Sequence, residues 1–144
     1  MLWATRRKIR ISRAATTWFI QRFVDPEARF FFGTDEEVLA SERDGAIGFH
    51  CSGTRYPKVS KDGLTPLEVL VNEHRPDNAA LVRLAAAVRE ADGPAGQERL
   101  PESPGLRFIT VSFPEVCSDD HEIVRRSAIV YDCLYASLTK ATRR

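Results

Sequence analysis

The sequence predicts a mainly α-helical α+β domain, with about six helices and two short strands in one compact unit. Three observations predict it. Apolar residues recur at three- and four-residue spacing in most segments. Threonine followed three residues later by glutamate, a helix-start signature, occurs at Thr34/Glu37 and at Thr65/Glu68. The apolar runs that lack helical spacing, Ala28–Phe32 and Ala46–His50, are short and end near turn residues. A chain of 144 residues fits one domain and can bury a core without disulfides or structural metal.

Residues 1–11 carry Arg6, Arg7, Lys8 and Arg10 and read as a basic N-terminal arm, with the domain proper over 12–144. Ala15, Trp18, Phe19, Ile20 and Phe23 mark a helix over about 14–24, stopped at Asp25-Pro26 because the residue before proline leaves the α region. Ala28–Phe32 is the first strand, closed by Gly33. Thr34 then caps a helix over 35–43, Gly45 ends it, and Ala46–His50 is the second strand. Residues 52–64 form a polar loop. Thr65-Pro66-Leu67-Glu68 starts a helix reaching about His74. Asp77 caps the next, whose apolar face is Leu81, Leu84, Ala85, Val88 and Ala91, and Gly93-Pro94-Ala95-Gly96 breaks it. Ser103-Pro104 begins a segment readable as a helix, through Leu106, Ile109 and Phe113, or as a strand, through Ile109-Thr110-Val111. Ser118-Asp119-Asp120 opens a long last helix to about Thr139. This order lacks the βαβ alternation of a doubly wound sheet.

The net charge of +1 conceals an asymmetry. Residues 1–24 carry six basic and no acidic side chains, and the rest of the chain is correspondingly acidic. Such an arm is either a solvated tail or a contact for phosphate, a small anion or an acidic partner. Arg6-Arg7 is not followed by the apolar stretch of a twin-arginine export signal. No run approaches the about 18 apolar residues of a membrane span. Cys51, Cys117 and Cys133 are odd in number and widely spaced, which fits a reducing compartment, the cytoplasm, better than a disulfide framework. Hydrolase, zincin and nucleotide-loop motifs are missing, so no catalytic reaction is established.

Four blocks, taken in order, resemble the C-terminal domain family of the chromate-resistance protein ChrB. Ser12-Arg13-Ala14-Ala15-Thr16-Thr17-Trp18-Phe19-Ile20-Gln21-Arg22-Phe23-Val24-Asp25-Pro26 is similar to the family's D-R-x-A-C-P-W-L-I-R-R-F-I-D-P. Asp44 to Phe49 is similar to G-A-x-P-F, Ala87 to Asp92 to I-V-R-x-A-D, and Asp119-Asp120-His121 with Val130 to Ala136 to D-D-H and V-Y-D-A-L-Y-A. The resemblance spans residues 12–136. It implies a binding or regulatory role in chromate or related oxyanion stress. It also implies a further N-terminal domain in full-length relatives, so nucleic-acid contact is not expected of this chain by itself. The family's cysteine and first aspartate are Thr16 and Ser12 here. The histidine and cysteine of its H-x-G-x-x-C-[ST]-F segment fall at Val59 and Leu64. Threonine, valine and leucine cannot replace the thiolate and imidazole that hold soft or borderline metals.

Two sets of candidate site residues follow. Arg13, Asp92 and Asp132, with Tyr131, are expected to form one polar cluster in the core, either an ion-pair network or the floor of an anion or metal pocket. Asp120 and His121, with Asp119 beside them, could offer carboxylate and imidazole to one divalent metal ion, or be first-turn acids and a surface imidazole. His50 and Cys51 are adjacent, but strand neighbours point to opposite faces and would not share an ion. Trp18 matches the apolar face of its helix and reads as core. The functions that remain are oxyanion binding through Arg13 or the basic arm, a metal-dependent enzyme using His121, or a scaffold that contacts a protein partner.

Overall fold

The computed structural model describes residues 1–143. The main departure from expectation is at the start of the chain. Leu2–Arg6 is a strand, β1, and it is the central one of a three-stranded parallel sheet, flanked by β2 (Arg29–Gly33) and β3 (Ile47–Gly48) in the order β2-β1-β3. Leu2 to Arg6 pair in register with Arg29 to Gly33 on one side, and Trp3 and Ala4 pair with Ile47 and Gly48 on the other. The solvated-tail reading of residues 1–11 therefore gives way. Trp3, Ala4 and Thr5 are buried and alternate between faces as strand residues must, a pattern hidden in the sequence by the charges that follow. With β1 in place, α1 (Ile11–Phe19) and α2 (Asp35–Arg43) are crossovers between parallel strands, so βαβ alternation is present over the first 48 residues.

The strand alternation sorts two cores. Ala4 and Phe31 face Val38 of α2 and Cys51, while Trp3, Phe30 and Phe49 join the larger core made with the helices. The expected helix of 14–24 begins at Ile11, three residues earlier, and its last turn, Ile20–Val24, is π-helical before Asp25 turns extended. Both expected threonine–glutamate capping boxes form, at the starts of α2 and of α3 (Pro66–His74). The cap of α4 (Ala79–Ala91) is Asn78, one residue past the expected Asp77, its side chain accepting from the Leu81 N–H at 3.0 Å.

Ser103–Thr110 is a helix, α5, which decides between the two readings of that segment. Leu106 and Thr110 are buried at helical spacing, while Phe108 and Ile109 lie outward. A single further turn, α6 (Phe113–Val116), leads to α7 (Asp120–Thr142), capped by Asp119 and running three residues beyond the expected end. Among the described residues six helices of eight residues or more thus accompany the small sheet. α1 packs against α3, α4 and α7, and α7 against α4. Full burial of Phe19, Leu81 and Leu84 in that packing contributes about 1.5–3 kcal/mol per side chain.

Candidate functional site: a basic cavity at the start of α1

The turn from β1 into α1 is held from two directions. Asp120, at the start of α7, accepts hydrogen bonds from the backbone N–H of Lys8 at 3.0 Å and of Ile9 at 2.9 Å. Arg13 donates to the carbonyls of Arg6, of Arg7 at 3.1 Å and of Lys8 at 3.1 Å. Between these clamps Lys8 sits at φ 64°, a left-handed conformation that costs a side-chain-bearing residue about 1–3 kcal/mol. The helix that follows has no side-chain cap at Arg10 and no acidic residue in its first turn. Its leading N–H groups and positive dipole end are therefore left for another partner.

That helix start opens into a cavity of about 380 Å³ lined by Arg6, Arg10, Arg13, Lys58 and Arg89, with Asp92 as the one carboxylate and Ile11, Ser12, His50 and Thr65 completing the wall. Five cations face one anion. Arg13 is partly buried, and burial, then Arg6, draws its pKa below the ordinary value, opposed by Asp120 and Asp92. It remains charged, as guanidinium does in proteins. Partial loss of water pushes the Asp92 carboxyl up, and Arg10 and Arg13 counter this. Arg89 leans on Glu68 at 3.2 Å and on the Gly63 carbonyl at 3.2 Å. Arg10 and Lys58 make no side-chain hydrogen bond or ion pair among the described residues, so their charge is the most available.

His50, on this wall, is the chain's second left-handed residue other than glycine among the described residues, at φ 54° and 8% exposed. Its carbonyl accepts from the Arg6 Nε–H at 3.1 Å, and its N–H donates to the Tyr56 carbonyl at 2.8 Å. The loop bearing it is tied to α2 by Glu42, whose carboxylate accepts from the N–H groups of Gly48 at 2.8 Å and Arg55 at 3.0 Å. Thr54 lies so near Gly48 that a Cβ there would meet its side chain, so glycine is required. The imidazole Nε2 of His50 is sealed from solvent and finds no hydrogen-bond partner among the described residues. Burial first, then Arg13, Arg6 and Lys58, holds its pKa down at about 3, so the ring is neutral.

The expected cluster divides. Arg13 and Asp92 do share this cavity. Asp132 does not: it lies on another face, half-exposed, accepting from Trp18 Nε1 at 2.9 Å and from Arg22 at 2.9 Å. Tyr131 is fully buried and donates its O–H to the Ile11 carbonyl at 2.9 Å, so it supports the first residue of α1 from the core. Burial, then Asp92, pushes its phenol pKa far up.

Asp120 and His121 do not converge either. The Asp120 carboxylate is on the turn, while His121 is exposed with its ring edge-on to Phe32, 4.9 Å between centroids. Among the described residues no group of three or more His, Cys, Asp or Glu side chains is placed to hold a metal ion. At the positions that depart from the family pattern, Thr16 is buried with its hydroxyl on the Ser12 carbonyl at 2.7 Å, and Val59 is exposed. The side chains present do not fit a thiolate–imidazole metal site. As expected, Trp18 is a core residue.

Sequence reasoning missed Lys58 and Arg89 as site residues, weighed His50 only as a metal ligand beside Cys51, and treated Arg6 and Arg10 only as parts of an arm. An unoccupied helix cap was the one available signal: Arg10-Ile11-Ser12-Arg13 begins α1 with neither a capping side chain nor an acid.

The model of the ChrB C-terminal domain family matches residues 3–138. The chain is 25% identical over 142 residues to Protein ChrB of Cupriavidus metallidurans, covering 99% of this chain and 42% of that protein. It thus spans less than half the length of this relative. No solved structure matches the chain.

Proposed function

The chain belongs to the ChrB C-terminal domain family, and from that premise we propose that it is an oxyanion-binding module of the chromate-resistance type. A small tetrahedral dianion such as chromate or sulfate would bind in the cavity at the start of α1. The observation that carries this is the charge balance: five cationic side chains and an uncapped helix start surround one space that holds a single carboxylate. Helix N–H groups and guanidinium forks suit the charge and oxygen spacing of such an anion. Arg13 has three of its five donors on the turn carbonyls, so it shapes the site, while Arg10 and Lys58 supply free charge. A regulatory role would follow if occupancy of the helix start changed how the β1–α1 turn is held.

The test is isothermal titration with chromate and with sulfate at low ionic strength, where screening is weak. Saturable binding lost in an Arg10→Ala/Lys58→Ala double variant supports the reading; no heat at millimolar concentration of either ion removes it. The scaffold reading keeps one observation in its favour, the exposed apolar side chains Phe108 and Ile109 on α5 and Ile129 on α7. Self-association or a stoichiometric partner, lost on Phe108→Ser, would favour it.

A further inference from the structure

We propose that His50 is a ligand of the bound oxyanion, and that the cavity takes up one proton from solvent, on the His50 imidazole, as the dianion enters. The inference rests on the oxyanion-binding reading and adds a proton to it. Its geometric basis is a residue of the cavity wall, nine-tenths buried and left-handed, whose ring makes no hydrogen bond through either nitrogen among the described residues. Buried rings are ordinarily hydrogen-bonded, so a partnerless imidazole on the wall of a cationic cavity is free to bond an acceptor that enters it. A tetrahedral oxyanion has oxygens to spare for it.

The charges lining the cavity are Arg6 from β1, Arg10 and Arg13 at the start of α1, Lys58 from the loop before α3, and Arg89 and Asp92 at the end of α4; of these Arg13, Arg6 and Lys58 act on the ring. With the cavity empty, burial first and then Arg13, Arg6 and Lys58 oppose a further positive charge, and the ring stays neutral. A dianion among them reverses the local field and favours imidazolium, which donates from both ring nitrogens. The chemistry is one proton transferred from solvent to a ring nitrogen, with no bond to the anion made or broken.

Sulfate is the right probe, because it stays a dianion across neutral pH, whereas chromate itself takes up a proton there. Sulfate titration of the intact chain, in buffers of differing ionisation enthalpy between about pH 5.5 and about pH 8, should show uptake approaching one proton per sulfate. Affinity should rise up to about tenfold per unit fall in pH within that window. His50→Asn, a residue that tolerates the left-handed backbone, should abolish the uptake. Asp92→Asn, which removes the cavity's one carboxyl, the other group there able to take a proton, should leave it in place. Sulfate binding without proton uptake, or uptake that survives His50→Asn, overturns the assignment to His50 while leaving the oxyanion site standing. No sulfate binding at any pH removes both.

Discussion

Arg13 and Asp120 hold the same turn from opposite chemical sides: the guanidinium binds the carbonyls of residues 6–8, and the carboxylate binds the N–H groups of residues 8 and 9. The two residues are 107 positions apart in the chain. Through this turn the last helix of the domain sets where its first helix begins, and so sets the cavity.

Asp120→Ala should destabilise the fold by about 1–3 kcal/mol, because two backbone donors lose a charged acceptor. It should also weaken sulfate binding, although Asp120 is not needed as a direct ligand. Urea denaturation and sulfate titration of the same variant check both outcomes. Unchanged stability would show that the turn holds itself.

Lys58→Ala should behave in the opposite way. The side chain is exposed and unpaired among the described residues, so stability should move by less than about 0.5 kcal/mol. Sulfate affinity should fall by about tenfold, as for loss of one charge-assisted contact. Equilibrium titration beside a thermal melt separates the two effects.

The outlying expected site residues give negative controls. Asp132→Asn should cost about 1 kcal/mol or less, since its ion pair with Arg22 is half-exposed, and should leave sulfate binding unchanged. His121→Ala should likewise leave sulfate binding unchanged. Tyr131→Phe, which leaves the Ile11 carbonyl without its buried donor, should cost about 1–2 kcal/mol. A large loss of binding in Asp132→Asn would mean the site had been placed on the wrong face.

The pH dependence of stability follows from His50. Its folded pKa of about 3 lies below the unfolded value of about 6.5, so below the latter the unfolded chain binds the extra proton. The anion-free protein should therefore lose about 1.4 kcal/mol of stability per unit between about pH 6.5 and about pH 5, above the range where unperturbed carboxylates titrate. Above about pH 7 both states are neutral at this ring and the effect vanishes. Denaturation midpoints across that range should flatten in His50→Asn; an equal slope in the variant would assign the loss to another group.

Much of this molecule can be read from local chemistry. The capping boxes at Thr34 and Thr65 formed because their reciprocal hydrogen bonds lie within four residues. The faces of α4 and α7 followed from apolar spacing. β1 could not be read that way: five residues beside a dense basic run look like a tail until two partner strands pair with them. The site was half legible. Arg13 and Asp92 line one cavity, but Asp132, one position from buried Tyr131, is turned by the helix onto another surface. Lys58, Arg89 and His50 reach the cavity only through tertiary folding, and the left-handed backbone at Lys8 and His50 leaves no mark in residue type.

The most direct measurement is amide NMR of the uniformly labelled chain during sulfate titration at low ionic strength. An oxyanion seated at the start of α1 should shift the Ile11, Ser12 and Arg13 amide resonances together along one saturation curve, leaving the Asp132 and Cys133 amides on α7 unmoved. Shifts that never saturate, or that centre on α7 instead, would contradict an anion site at this helix start.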